Sequence, residues 1–185
     1  MRAFLASLLF ILSLFGPSSP VMANDSLIDD FRGDPAARWR FFSDTVMGGV
    51  STGKVAILSE DGARFARMTG EVSTANNGGF IQMRIDLAEG MAKEATGVRL
   101  VARGNDQRYF VHLRTGGTVL PWQYYQAGFD VTGAWSEFRV PFAAFRPSGR
   151  LLRKTPRAEA LTSVGIVAYG RDHAARIDVS EIGFY

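Results

Sequence analysis

Cysteine is absent from the 185 residues, histidine occurs twice, and no stretch carries five or more like charges in a row. Without cysteine there is no disulfide, no thiolate metal centre and no lipid-attachment thiol, so the fold has to stand on its core. His112 and His173 are not at ligand spacing, which would leave a zinc or iron site to carboxylates. Neither a metal nor a cofactor is expected. Asp29, Asp30 and Asp34 are the acidic residues that a structural calcium in a loop would draw on. The 21 basic and 18 acidic residues largely cancel to a formal charge of +3, which gives no reason to expect a nucleic-acid partner.

Long apolar runs are scarce too. Ala3–Phe15 is uncharged, but its 13 residues fall short of the span a bilayer requires, about 20 helical residues. Arg2 before it, Gly16-Pro17 after it and the ending Val21-Met22-Ala23 have the form of a cleaved secretory signal. The sequence therefore predicts a signal peptide over 1–23 and one domain over 24–185. It also predicts a periplasmic or secreted location, with no stable membrane span after cleavage.

Aromatics and turn formers are plentiful: 14 Phe, 5 Tyr, 3 Trp and 20 Gly. That balance favours an all-β domain. Phe80–Leu87 alternates, with Ile81, Met83 and Ile85 on one face and Gln82 and Arg84 on the other. The segments around Val98–Arg103 and Tyr109–Arg114 do the same. Asp61-Gly62, Asn76-Asn77-Gly78-Gly79, Gly104-Asn105-Asp106 and Thr115-Gly116-Gly117 supply turns. Ala88–Thr96 reads as a short helix weakened by Gly90. About ten strands with turns every 8–12 residues predict a sandwich or barrel.

The most distinctive stretch is Ser43-Asp44-Thr45-Val46-Met47-Gly48-Gly49-Val50-Ser51. The glycine pair allows positive φ or a close backbone approach, and Asp44, Ser43 and Ser51 can tie their side chains to nearby N–H groups. Met47 completes the structural motif. Gly48–Lys54 nearly spells a phosphate loop, but Val55 replaces the required hydroxyl and a β-branched segment follows where a helix should. Gly49-Val50-Ser51-Thr52-Gly53 matches a nucleophile elbow, with Asp172 and His173 downstream, yet the elbow belongs in an α/β sheet.

The Ser43–Ser51 stretch resembles the signature of the complex I intermediate-associated protein family, small assembly factors for respiratory NADH dehydrogenase. Further matches follow in order: Trp39, Phe65–Gly70, Asn77-Gly78-Gly79-Phe80, Gly104–Tyr109, Trp135–Phe142 with Phe145, and Ile177-Asp178-Val179 with Ile182. The resemblance implies a galactose-binding-like β-sandwich of jelly-roll type and a binding or assembly role without catalysis. The leader departs from an Arg-rich mitochondrial presequence and points to an exported bacterial member.

Alternation also marks a candidate docking face. Opposite the apolar stripe lie Arg84, Arg99, Arg103, Phe110, His112 and Arg114, which form one basic patch provided the three strands share a sheet. Trp122, Tyr124 and Tyr125 after Pro121 suit stacking on a sugar ring or half-buried strand positions. The expected partner is a protein. A carbohydrate-binding module is the alternative, and a hydrolase centred on Ser51 a third.

Overall fold

The computed structural model describes residues 25–185, so the signal peptide expected over 1–23 lies outside the described residues. Twelve strands run in the order β1 (Ser26–Asp29), β2 (Trp39–Ser43), β3 (Thr52–Glu60), β4 (Ala63–Val72), β5 (Phe80–Asp86), β6 (Gly97–Gly104), β7 (Arg108–Thr115), β8 (Tyr125–Asp130), β9 (Ser136–Pro141), β10 (Arg146–Pro147), β11 (Leu161–Tyr169) and β12 (His173–Phe184). All the pairings are antiparallel.

They form two sheets. The first has the order β3-β4-β12-β6-β9, with β1 also on β12. The second has the order β10-β8-β7-β11-β5-β2. The core lies between them: Met68, Leu100, Ile177, Ile182 and Phe184 from the first sheet meet Ile81, Met83, Tyr109, Leu113 and Ile166 from the second, all almost wholly buried. This is the expected all-β sandwich.

Local chemistry explains the departures. The stretch before Phe31 forms strand β1, which Asp29 anchors. Asp29 accepts from Phe31 N at 2.7 Å, Arg38 Nη2 at 2.9 Å and Trp39 Nε1 at 2.6 Å. Asp34 caps the one-turn helix Pro35–Arg38, and Asp30 pairs with Arg32. These three carboxylates serve the chain's own donors, and no cluster of three or more His, Asp or Glu placed to hold a metal occurs among the described residues. Residues 88–96 make successive turns and no helix, with Gly90 at φ 73°.

Candidate functional site

The Ser43–Ser51 stretch closes around Asp44, which is fully buried. Its Oδ2 accepts from Ser51 Oγ at 2.5 Å, Gly79 N at 2.5 Å and Phe80 N at 3.2 Å, and its Oδ1 from Ser51 N at 2.9 Å. Burial pushes the carboxyl pKa up. The Ser51 hydroxyl and the N–H groups of Gly79, Ser51 and Phe80 outweigh it and hold the group below the usual carboxylate range.

The two glycines of the pair act differently. Gly48 is left-handed, at φ 91°, with open space around it. Gly49 has no positive φ; a Cβ there would overlap the Asp44 carboxyl group and lie 2.7 Å from Asp44 Cβ. Gly78 leaves the same carboxylate room from the other side. The motif is thus a buried anion cage joining the turn at 44–51 to the turn at 78–80. Ser51 is fully buried and committed to Asp44, and β3 follows it. His173 Nδ1 is engaged with Arg171 O at 2.8 Å, and Asp172 accepts from Thr74. Ser51, Asp172 and His173 therefore serve separate contacts.

The patch expected from alternation splits in two. β6 pairs with β12 and β9, so Arg99 and Arg103 lie on the first sheet, while β5 and β7 lie in the second. Both arginines are already neutralised there. Arg103 binds Glu60 and, at 2.8 Å, Asp178, which also takes Arg67 at 2.6 Å. Arg99 binds Glu137 and Glu181, each at 2.8 Å.

Arg84, Phe110, His112 and Arg114 do share one face, the outer side of the second sheet. Register sets out its rows. Gln126, His112, Gly165, Arg84 and Arg40 stand side by side, and so do Gly128, Phe110, Val167, Gln82 and Phe42. Val167 is fully buried although it lies outside the main core cluster. A second apolar layer covers it. Tyr124 stacks on His112 (4.1 Å, 10°), Tyr169 meets Phe110 edge-on at 6.0 Å, and Phe42 meets Phe80 edge-on at 6.4 Å. Gly165 is bare at the centre of the face because a Cβ there would overlap the Gln82 amide nitrogen.

Electrostatics single out Arg84 within this layer. Its guanidinium lies 4.7 Å from the Phe42 ring centroid, and its buried Nε has no hydrogen-bond partner. No ion pair includes it among the described residues. Asp86, the nearest carboxylate influence, is held by Arg40 at 2.5 Å. Burial first, then the charges of Arg40 and Arg114, disfavour the Arg84 cation, and Asp86 offsets part of this. His112 is neutral: burial pushes it down to about 4, against a partial opposing effect from its 2.7 Å contact with Gln126. Burial raises the Tyr124 phenol, and the neighbouring Tyr169 phenol adds to this.

Two other expected residues move. Tyr125 is in the core, because its register opposite Leu113 turns it inward; its neighbour Tyr124 is the outward aromatic. Arg114 braces a loop, donating to Thr118 O at 2.8 Å and Leu120 O at 3.1 Å. Sequence reasoning missed Tyr169, Phe42 and Gly165. The pairing of β11 between β7 and β5 brings Tyr169 and Gly165 to this face, and the pairing of β2 with β5 brings Phe42.

The family model of complex I intermediate-associated protein 30 matches residues 30–178. The chain belongs to the complex I intermediate-associated protein 30 family. Both halves of the anion cage and the outer face of the second sheet fall within the matched span. No curated protein sequence matches the chain. Among solved structures, the family 11 carbohydrate-binding module of the cellulase Lic26A-Cel5E of Clostridium thermocellum is similar, with TM-score 0.70 and 15% identity over 88% of this chain and 94% of that one. The same module in complex with a β-1,3-1,4-mixed-linked tetrasaccharide gives TM-score 0.69 at 15% identity, over 86% and 94%. A family 30 carbohydrate-binding module gives 0.52 at 9% identity, over 74% and 82%. At these identities the likeness concerns the fold: this member of the complex I intermediate-associated protein 30 family has the sandwich of carbohydrate-binding modules.

Proposed function

We propose that the chain is a non-catalytic binding domain that docks a protein partner on the outer face of its second sheet and assists that partner's assembly. The observation that carries this is Arg84, a half-buried cation with no acceptor, set in a layer of aromatic rings. A buried charge without a partner is costly, and an acceptor from a docked molecule removes the cost. Arginine with aromatics is also the composition of interface hot spots. Family membership supports the assembly role. The leader-like segment supports export, with a mature chain beginning at Asn24; N-terminal sequencing of the protein from fractionated cells reads this directly.

A carbohydrate ligand is the second reading. It is favoured by Tyr124, Tyr169 and Phe110 on one sheet face of a sandwich similar to sugar-binding modules. Affinity electrophoresis in mixed-linked β-glucan, beside identification of proteins that co-purify with the chain, separates the two. Retardation by glucan that is lost in Tyr169→Ala, with no stoichiometric protein partner, replaces the first reading by the second.

A further inference from the structure

The second sheet ends, at its β10 edge, in two loops that share an unusual composition. Residues 116–124 carry no charge and expose Val119 (80%), Trp122 (62%) and Leu120 (40%). The neighbouring stretch 146–157, Arg-Pro-Ser-Gly-Arg-Leu-Leu-Arg-Lys-Thr-Pro-Arg, holds five basic residues and no acid. Leu151 within it is 93% exposed. Arg157 is paired with Glu159, whereas Arg150, Arg153 and Lys154 are in no ion pair among the described residues.

The loops are fastened together. Ser148 Oγ donates to Trp122 O and accepts from Tyr124 N, each at 3.0 Å, and Gly116 N donates to Ala160 O at 2.9 Å. Leu151, Arg153 and Arg157 line a groove with Gly117. The first loop is braced by Arg114 and by the Gln123 side chain, which accepts from Leu120 N at 3.0 Å. The apolar side chains are therefore held out by a bonded scaffold.

We propose that this loop pair docks the domain reversibly on an anionic phospholipid surface. A bilayer interface accommodates all three components at once. Tryptophan belongs at headgroup depth, branched aliphatics reach the acyl boundary, and Arg and Lys meet lipid phosphates. A nucleic acid would satisfy the charges but leave Leu151 and Val119 in water. A sugar would stack on Trp122 but leave the basic run unused. The site adjoins the Arg84 layer at Tyr124, but Trp122, Arg150, Leu151 and Arg153 lie outside that layer, so either proposal can fail alone.

The test uses the chain from Asn24 onward, which holds all twelve described strands, in sedimentation with extruded vesicles. The wild type is expected to pellet with phosphatidylcholine–phosphatidylglycerol vesicles, much less with phosphatidylcholine alone, and to show a blue-shifted tryptophan emission on binding. Each basic residue at the surface contributes about fivefold to partition, so Arg150→Glu with Arg153→Glu should lower it by more than about tenfold. Leu151→Glu should lower it comparably, and Trp122→Ser should remove the emission shift. All are exposed positions, and unchanged melting serves as the folding control. Failure to pellet with anionic vesicles overturns the proposal. So does pelleting that Leu151→Glu leaves intact, which would make the loops a purely ionic surface.

Discussion

Replacing Gly49 by alanine tests the anion cage at its tightest point. The new Cβ would occupy the position of the Asp44 carboxyl group, so that carboxylate must swing away by an ångström or more. Two of its bonds, from Ser51 Oγ and Gly79 N, are 2.5 Å long and have no slack. Hydrogen bonds to a charged group contribute about 1.5–3 kcal/mol each, so losing both gives a gross cost of about 3–6 kcal/mol. Relaxation of the turn recovers part of it, leaving an expected loss of about 3 kcal/mol, which for a domain of this size lowers Tm by about 6–12 °C. Gly48→Ala acts through φ alone and should cost about 1–2 kcal/mol. Gly133→Ala, with nothing within 4 Å and no positive φ, should be close to neutral. Thermal melts of the three variants read the order directly. A Gly49→Ala protein that melts like wild type, or a Gly48→Ala protein that loses more than Gly49→Ala, refutes the argument that space for Asp44, not backbone conformation, fixes Gly49.

Acid should unfold the domain through two carboxylates. Asp44 is held below its ordinary range as described, and at Asp178 burial, which raises the pKa, is outweighed by Arg67 and Arg103. Because both folded-state values lie below the unfolded one, their stabilisation is complete above the ordinary Asp pKa of about 3.9 and is lost as pH falls through the folded values; denaturation profiles should show Asp178→Asn losing stability at pH 7 but little at the acid end. Arg103→Glu should cost about 3 kcal/mol by setting a carboxylate beside Asp178 and Glu60, leaving buried Asp178 with Arg67 alone; a melt within about 0.5 kcal/mol of wild type, as for an ordinary exposed site, counts against that pairing. His112 should titrate far below 6.5, near the value of about 4 set by burial, and an NMR titration with a midpoint near 6.5 would contradict the packed Tyr124–His112–Gln126 arrangement.

What could be read in the sequence was what alternation and short-range turn chemistry determine. Ile81/Met83/Ile85, Val98/Leu100/Ala102 and Tyr109/Val111/Leu113 face the core as their pleat predicts. Which strands lie side by side is a long-range matter, and alternation carries no information about it. Arg99 and Arg103 looked like neighbours of Arg84 until β6 proved to pair with β12. Their acidic partners, Glu137, Asp178 and Glu181, arrive from strands that no local pattern connects to them. The same gap hid the site. Tyr169 and Gly165 enter it from β11, and Gly79 and Phe80 reach Asp44 across 35 and 36 residues. At Trp122–Tyr125, an aromatic run without clear polar alternation left the inward residue undetermined, and the register with β7 decides it for Tyr125.

The outer face of the second sheet is proposed to receive a partner at Arg84. The most direct measurement of this is recovery of co-purifying protein by Arg84→Glu and the milder Arg84→Gln, beside Lys54→Glu on the first sheet as an exposed control. An interfacial charge that loses its pairing costs about 2–5 kcal/mol, so recovery should fall by about 30-fold or more in Arg84→Glu, and stay at the wild-type level in Lys54→Glu, with cooperative melting of each variant as the folding control. Undiminished recovery by a normally folded Arg84→Glu protein would contradict the claim.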